Sequence, residues 1–387
     1  MHKKKDSKIL ILDPAGYTAE YSYNLAKSIK LSFPETFLAM PQNNLLEISE
    51  SMKLNFISTF QDNGSRTLVQ KLKMGISLIL GLIKINRFIE QNSINIIINQ
   101  IYPISFMGFL FNLLLNKKII KVQILHNVIP SHGERNWLLS KGIKKFISTH
   151  HFYIVHSASS KLLASRKYNI DTKLIFDTVL PLYTISAVDK RSSKTVPKSS
   201  SSKNIITFLM IGAIKKYKGI ELAITAAKNL ISSNVKDFKL IIAGKPNYDI
   251  DLFQANFKDK SLSNHIQLIP KFLSDSEMDE LLMKADCMLM PYLDSHGSGV
   301  LSLAINYKMP VIASDLEFFK EILDLHYAGE VFSRGSSDDL SKVMQQFIVN
   351  NEYRDALFER SRIRSANYQT WESYSASIMN FIETSTR

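Results

Sequence analysis

Two clusters in this 387-residue chain have the residue types to hold an anion while a bond to it breaks. The first is "IGAIKKYKGIE", where Gly212 ends an apolar run and Lys215, Lys216 and Lys218 precede a stretch with helical spacing. Glycine lets backbone turn close to a ligand. Cations beside the exposed N–H groups of a helix N-terminus suit a diphosphate. A lysine run before a helix is otherwise a solvated face, so its place in the fold has to decide. The second cluster is Gly297, Ser298 and Gly299, between the apolar "MLMPY" and a helical stretch. There Ser298 can cap the helix or donate to a phosphate.

Other patterns lead nowhere. "DID" at Asp249–Asp251 has the form of an Asp-x-Asp metal motif, but it opens a helical stretch and reads as a cap. His150 and His151 lack a nearby third ligand. No Ser/His/Asp order, P-loop or dinucleotide glycine fingerprint is present. Cys287 is the only cysteine, which excludes a disulfide framework and a Cys-based metal site. It lies in "ADCMLMPY" and is expected in the core.

The elements that must position the two clusters are short apolar strands alternating with helices. In the first half "KILILDP", "TFLAM", "INIIINQ", "IIKVQILHN", "FYIVHS" and "KLIFDTVLPL" read as strands. "TAEYSYNLAKSIKLSF" and "ASSKLLASRK" read as helices between them. Runs this apolar predict a parallel sheet covered on both faces. "SAVDKRSSKTVPKSSSSKN", at Ser186–Asn204, has no period and reads as an exposed connector. The alternation then restarts with "IITFLMIG", "FKLIIAG", "HIQLIP", "CMLMPYL" and "MPVIAS", and residues 337–384 read as helices. Two doubly wound domains in tandem are predicted, with ligands beyond the carboxyl ends of the strands and a cleft between the domains as the default site.

Charge changes sign at the connector. Through Lys203 the chain carries 28 Lys and Arg against 12 Asp and Glu, and from Asn204 on 20 against 23. The basic half predicts an anionic partner such as a membrane surface or a lipid diphosphate. A nucleic acid is disfavoured, because no aromatic-basic platform is laid out. The N-terminus does not read as a secretory signal. The apolar stretch at Ile104–Leu115 is shorter than the ~20 residues of a membrane span, and reads as a buried or interfacial helix.

The second half resembles glycosyltransferase family 4, the group 1 glycosyltransferases of GT-B fold. The resemblance runs through "FLMIGAIKKYKGIELAITAA", "FKLIIAG" and "IQLIPKFLSDSEMDELLMKADCMLMPYLDSHGSGVLSLAINYKMPVIASDLEFFKEIL". The first half matches more loosely, at "ILILDPAGYTAEYSYNLAKSI", "ILHNVIP" and "IVHSAS". The resemblance implies two Rossmann-like domains, a nucleotide-sugar donor held mainly by the second, a saccharide acceptor held mainly by the first, and no metal or other cofactor. It implies that Lys215 and Lys218 hold the diphosphate, with Gly212, Ser298, Gly299, Val300 and Glu321 around the donor. His126, at a strand end, would face the donor sugar. Gly16 would approach the diphosphate or acceptor, and Tyr17 and Thr18 would position the acceptor; His132, Glu134 and Arg135 follow in a loop. Two carboxylates common in the family are missing: their positions carry Ser295 and Leu303, and Asp294 is one residue out of register.

The resulting expectation is an acceptor-side domain at 1–185, a connector at 186–203, a donor domain at 204–365, and a helix at 366–387 that crosses back. The expected function is a retaining transferase moving a sugar to a polyprenyl-diphosphate-linked saccharide in cell-surface polysaccharide synthesis, in the cytoplasm at the inner face of the membrane. The alternatives are a GT-B-fold sugar-nucleotide epimerase and a non-catalytic sugar-nucleotide-binding relative.

Overall fold

The computed structural model describes residues 7–13, 18–41, 53–56, 81, 83–100, 119–129, 143–182, 205–247, 260–295 and 297–386. The chain forms two compact units, Met1–Val179 with Thr370–Arg387, and Leu180–Gln369.

The first unit opens with β1 (Ile9–Leu12), α1 (Ala19–Ser32), β2 (Thr36–Pro41) and β3 (Lys53–Phe56). A helix through residues 83–91 leads to β4 (Ile96–Asn99), followed by β5 (Ile120–Ile124), β6 (Phe152–Val155), α2 (Ala158–Tyr168) and β7 (Ile175–Asp177). The strands make one parallel sheet in the order β3-β2-β1-β4-β5-β6-β7. Every residue of β1, β4 and β6 is buried, as strands covered on both faces require. Ser157 starts α2 by accepting from the Ser160 amide, and Asn169 ends it in a left-handed conformation.

The second unit contains β8 (Ile206–Ile211), α3 (Ile220–Ser232), β9 (Phe238–Ala243), β10 (Ile266–Ile269), α4 (Asp275–Lys284), β11 (Cys287–Met290), α5 (Gly299–Asn306), β12 (Val311–Ser314), α6 (Glu317–Glu321), β13 (Gly329–Phe332), α7 (Ser337–Val349) and α8 (Asn351–Ala366). Its sheet is parallel, in the order β10-β9-β8-β11-β12-β13. A capping box between Ser274 and Glu277 sets the start of α4. Ala223 and Ala227 of α3 are fully buried in the core with Phe208 and Leu240 of the sheet. Their small side chains let the helix axis come close to the strands. Cys287 is buried in this core, as its apolar surroundings in the sequence predict.

Helix α9 (Trp371–Ser385) packs on the first unit. Tyr374, fully buried, shares a hydrogen bond with the hydroxyl of Tyr21 in α1. Ser28 and Ser375 pair at 2.8 Å, and Phe381 stacks on Phe176 with ring centroids 5.2 Å apart.

Edge strands β3 and β13 go beyond the sequence reading; "KLNF" and "GEVF" are too short to stand out from their surroundings. Gly16, Tyr17, Asp249–Asp251, the connector at 186–203, the apolar stretch at 104–115 and the loop of His132, Glu134 and Arg135 lie outside the described residues. Among the described residues no helix is long and apolar enough to cross a membrane.

Candidate active site

In each sheet the strand order reverses once, between β1 and β4 in the first unit and between β8 and β11 in the second. Loops leaving the carboxyl ends of such a strand pair diverge and open a crevice.

In the second unit the loop after β8 carries Gly212 and a short turn, Lys216–Lys218, that Gly219 ends in a left-handed conformation. The loop after β11 carries Pro291 and Tyr292 and ends at Ser298, ahead of α5. The two loops are joined: the Leu293 amide donates to the Tyr217 carbonyl at 2.7 Å. The rings of Tyr217 and Tyr292 meet edge to face, with centroids 5.8 Å apart.

This frame holds Lys218. The side chain is 8% exposed, and its ammonium donates to the Ile211 carbonyl at 3.2 Å. The ammonium stands 5.7 Å from the centroid of the Tyr292 ring, within cation–π range. It also lies directly over Gly212: a Cβ there would meet Lys218 Nζ at 3.1 Å and Val300 Cγ2 at 3.4 Å. Gly212 and Lys218 of one loop and Val300, distant in sequence, therefore line one spot. Among the described residues no carboxylate makes an ion pair with Lys218. Burial, with a smaller contribution from the positive charge of Lys215, holds its pKa down to about 8. A buried cation without a counter-ion is costly. An anionic ligand would relieve that cost.

Lys215 stands half-buried beside Tyr217, its ammonium 6.0 Å from the ring centroid. Ser298 starts α5, but its side chain does not cap the helix and is turned to the Tyr292 phenol. The start of α5 at Gly299 thus has no side-chain cap, the arrangement in which a helix N-terminus can bind an anion. Ser295 donates to the Gly297 carbonyl at 2.8 Å and shapes the turn before the helix. Glu321 ends α6 on the segment after β12.

In the first unit the ends of four strands meet. Asp13 follows β1, Gln100 follows β4, and His126 and His156 follow β5 and β6. Asp13 is buried, and its carboxylate accepts from the Thr18 amide at 3.2 Å, the Thr18 hydroxyl at 3.0 Å and the Ser22 hydroxyl at 3.0 Å. The Thr18 hydroxyl also lies 3.1 Å from Gln100 Oε1. His126 Nε2 is 2.8 Å from the same oxygen, and His126 Nδ1 is 3.2 Å from His156 Nε2. Tyr21 packs its edge on His126, with centroids 4.7 Å apart. Burial holds the pKa of His126 down to about 4 and that of His156 well below the ordinary value. His126 is therefore neutral at physiological pH, with both ring nitrogens engaged inside the unit.

Thr18 and His126, which the sequence reading assigns to acceptor and donor sugar, are thus joined through Gln100. Asp13, Gln100 and His156 were missed. The signal available for them was position: each follows directly on an apolar strand, and His126 follows its own strand by two residues. His150 serves the fold, buried between Asn99 and the Phe146 carbonyl. Among the described residues no group of three His, Cys, Asp or Glu side chains is placed to hold a metal ion.

Comparison with known proteins gives a consistent result. Residues 192–364 match the family model described as glycosyl transferases group 1. A serotype-specific mannosyltransferase, WbdA of Escherichia coli, is 28% identical over 177 residues, which are 43% of this chain and 20% of WbdA. The chain thus spans about a fifth of the length of the curated relatives it matches. Among solved structures, HepE of Anabaena in complex with UDP superposes with a TM-score of 0.72 at 14% identity, over 97% of this chain and all of HepE. WaaG, a glycosyltransferase involved in lipopolysaccharide biosynthesis, gives 0.65 at 14% identity, over 96% and 98% of the two chains. These likenesses extend over both units and establish the architecture. The chain has the GT-B fold, and the residues that match the group 1 glycosyltransferase model fall largely in its second unit.

Proposed function

We propose that this chain is a retaining glycosyltransferase that moves a sugar from a nucleotide-sugar donor to a saccharide acceptor. The observation that carries the reading is the convergence of Gly212, Lys218 and Val300 beside the uncapped start of α5. The bare backbone of Gly212 lets a diphosphate approach, and Lys218 meets it as a desolvated cation. As the glycosidic bond breaks, charge grows on the leaving phosphate, and a positive group already in place needs no reorganisation to stabilise it. Lys215 adds a second charge from the same loop. Lysines and backbone amides can carry this charge without a metal ion. Ser298, Gly299, Val300 and Glu321 complete the donor side.

The first unit would bring His126 to the donor sugar as a neutral ring, and Gly16, Tyr17 and Thr18 to the acceptor. The excess of basic residues through Lys203 supports an anionic acceptor, and we propose a polyprenyl-diphosphate-linked saccharide used in cell-surface polysaccharide synthesis, reached from the cytoplasmic face of the membrane. WbdA is a serotype-specific mannosyltransferase and WaaG a glycosyltransferase involved in lipopolysaccharide biosynthesis, which supports this class of product.

The test has two stages. A thermal-shift screen against UDP-, GDP-, ADP-, CMP- and dTDP-sugars identifies the donor, because a ligand of the folded state raises the unfolding midpoint. Incubation of that donor with lipid-linked and free saccharides, with and without EDTA, then gives the acceptor. Product NMR gives the anomeric configuration. Nucleotide binding without turnover on any acceptor would point to the non-catalytic alternative.

A further inference from the structure

The hydrogen bonds around Gln100 do not balance with its amide as drawn. The single Thr18 hydroxyl proton is claimed by Asp13 Oδ2 at 3.0 Å and by Gln100 Oε1 at 3.1 Å. Meanwhile the Gln100 amide nitrogen, a double donor, is buried with no partner among the described residues. An orphaned NH₂ group is the more expensive fault, since it strands two donors, whereas the turned amide strands one carbonyl oxygen. The oxygen and nitrogen of a side-chain amide are nearly indistinguishable by shape and are assigned from their partners.

Turning the Gln100 amide by half a turn gives both of its protons and the Thr18 proton an acceptor each, and leaves the Gln100 carbonyl oxygen in the unpartnered position instead. Its nitrogen then donates to Thr18 Oγ1 and to His126 Nε2, and the Thr18 proton is left for Asp13. His126 Nε2, now an acceptor, carries no hydrogen. The ring is neutral, so its proton sits on Nδ1 and is donated to His156 Nε2. His156 in turn holds its own proton on Nδ1, a buried nitrogen with no hydrogen-bond partner of normal geometry among the described residues. The Thr178 backbone lies alongside that ring.

We propose that Asp13, Thr18, Gln100, His126 and His156 form one hydrogen-bond chain across four strand ends, donating outward from Gln100 to Asp13 on one side and to His156 on the other, in which Gln100 and His156 hold His126 as its Nδ1–H tautomer. His156 is then a positioning residue for the sugar transfer proposed above, and this part of the inference rests on that reading. The chain disfavours the imidazolium as well, because an Nε2–H on His126 would point at the Gln100 N–H. His126 acts as an oriented neutral ring and not as a general acid.

Long-range ¹H–¹⁵N spectra of the full chain read the tautomer directly, with His126 assigned by loss of its signals in His126→Gln. The expected result is a proton on Nδ1 and a bare Nε2. His156→Gln keeps an acceptor at the same reach and should preserve that tautomer, whereas His156→Phe removes it and should yield a tautomer mixture. Circular dichroism confirms that each variant is folded. In turnover, His156→Phe should lower kcat about tenfold with little change in donor KM, the cost of a slightly misplaced group, and His156→Gln should recover at least part of the rate. A His126 proton on Nε2 in the parent, or an unchanged tautomer in His156→Phe, would overturn the chain. The expected tautomers with parental kcat in His156→Phe would overturn the positioning role. Absence of any transfer by the parent counts against the glycosyltransferase reading alone, and the spectra then still decide the hydrogen-bond chain.

Discussion

Gly219 lies so close to Pro291 that a Cβ there would stand 2.0 Å from the Pro291 carbonyl oxygen. The two loops of the second unit's site are packed backbone to backbone at this point, one following β8 and the other β11. Gly219 also has φ +68, a conformation other residues enter only with strain. Gly219→Ala therefore meets two penalties. We expect a loss of stability of about 2–4 kcal/mol together with loss of donor binding, both read from denaturant unfolding and calorimetric titration of the same preparation. A variant with parental stability would mean that the loops separate freely.

Lys218→Ala should slow sugar transfer by about 10²-fold, the usual scale for removing one charge-stabilising group. Lys218→Arg should recover only part of the loss, because a planar guanidinium replaces the compact ammonium that lies close to Gly212. Steady-state rates at saturating donor check both. Unchanged turnover in folded Lys218→Ala would move the diphosphate elsewhere.

The lowered pKa of Lys218, about 8, gives a pH signature. Only the protonated amine attracts a diphosphate, so donor affinity should fall as pH rises through about 8, and Lys218→Met should flatten that fall. The stability term runs the other way. Between about 8 and the ordinary lysine value the unfolded chain binds the proton more tightly than the folded chain. Stability from this group therefore rises with pH across that window. Titrations with donor and urea melts without it separate the two trends.

His126 and His150 have pKa values held down to about 4 and about 3 by burial. Their unfolded forms take up protons near the ordinary histidine pKa of ~6.5. Folding then favours the neutral rings, and stability should decline as pH falls from about 6.5 toward 4, with the full cost present below the folded values. Urea midpoints at pH 7, 6 and 5 test this, and a flat series would show that the rings are more open to water than the structure has them.

Tyr374 anchors α9 to the first unit through Tyr21. Tyr374→Ala should cost about 3–5 kcal/mol as a large buried side chain is lost. Tyr374→Phe should cost about 1 kcal/mol for the hydrogen bond alone. Equal effects from the two would show that the ring packing contributes little.

The sequence by itself determined the two parallel sheets. Strands such as "ILIL", "IIIN" and "FYIV" are apolar at every position, and only a strand covered on both faces buries such a run. It also determined which loops matter, because Gly212, the lysines and "GSG" follow strand ends directly. The Ser157 and Ser274 caps are local and were legible for the same reason: their partners lie within three residues. Tertiary structure alone decided which of the lysines is desolvated. Lys215, Lys216 and Lys218 look alike in a row, and the turn that ends at Gly219 buries Lys218 under Tyr292 while Lys216 stays in water. It alone decided that Ser298 faces Tyr292 instead of capping α5. It alone joined Asp13, Gln100, His126 and His156, since four strand ends become neighbours only when the sheet order 2-1-4-5-6 is set. Hydrogen bonds across that edge depend on distances of a few ångström between residues up to 143 positions apart, and no local pattern in the chain records them.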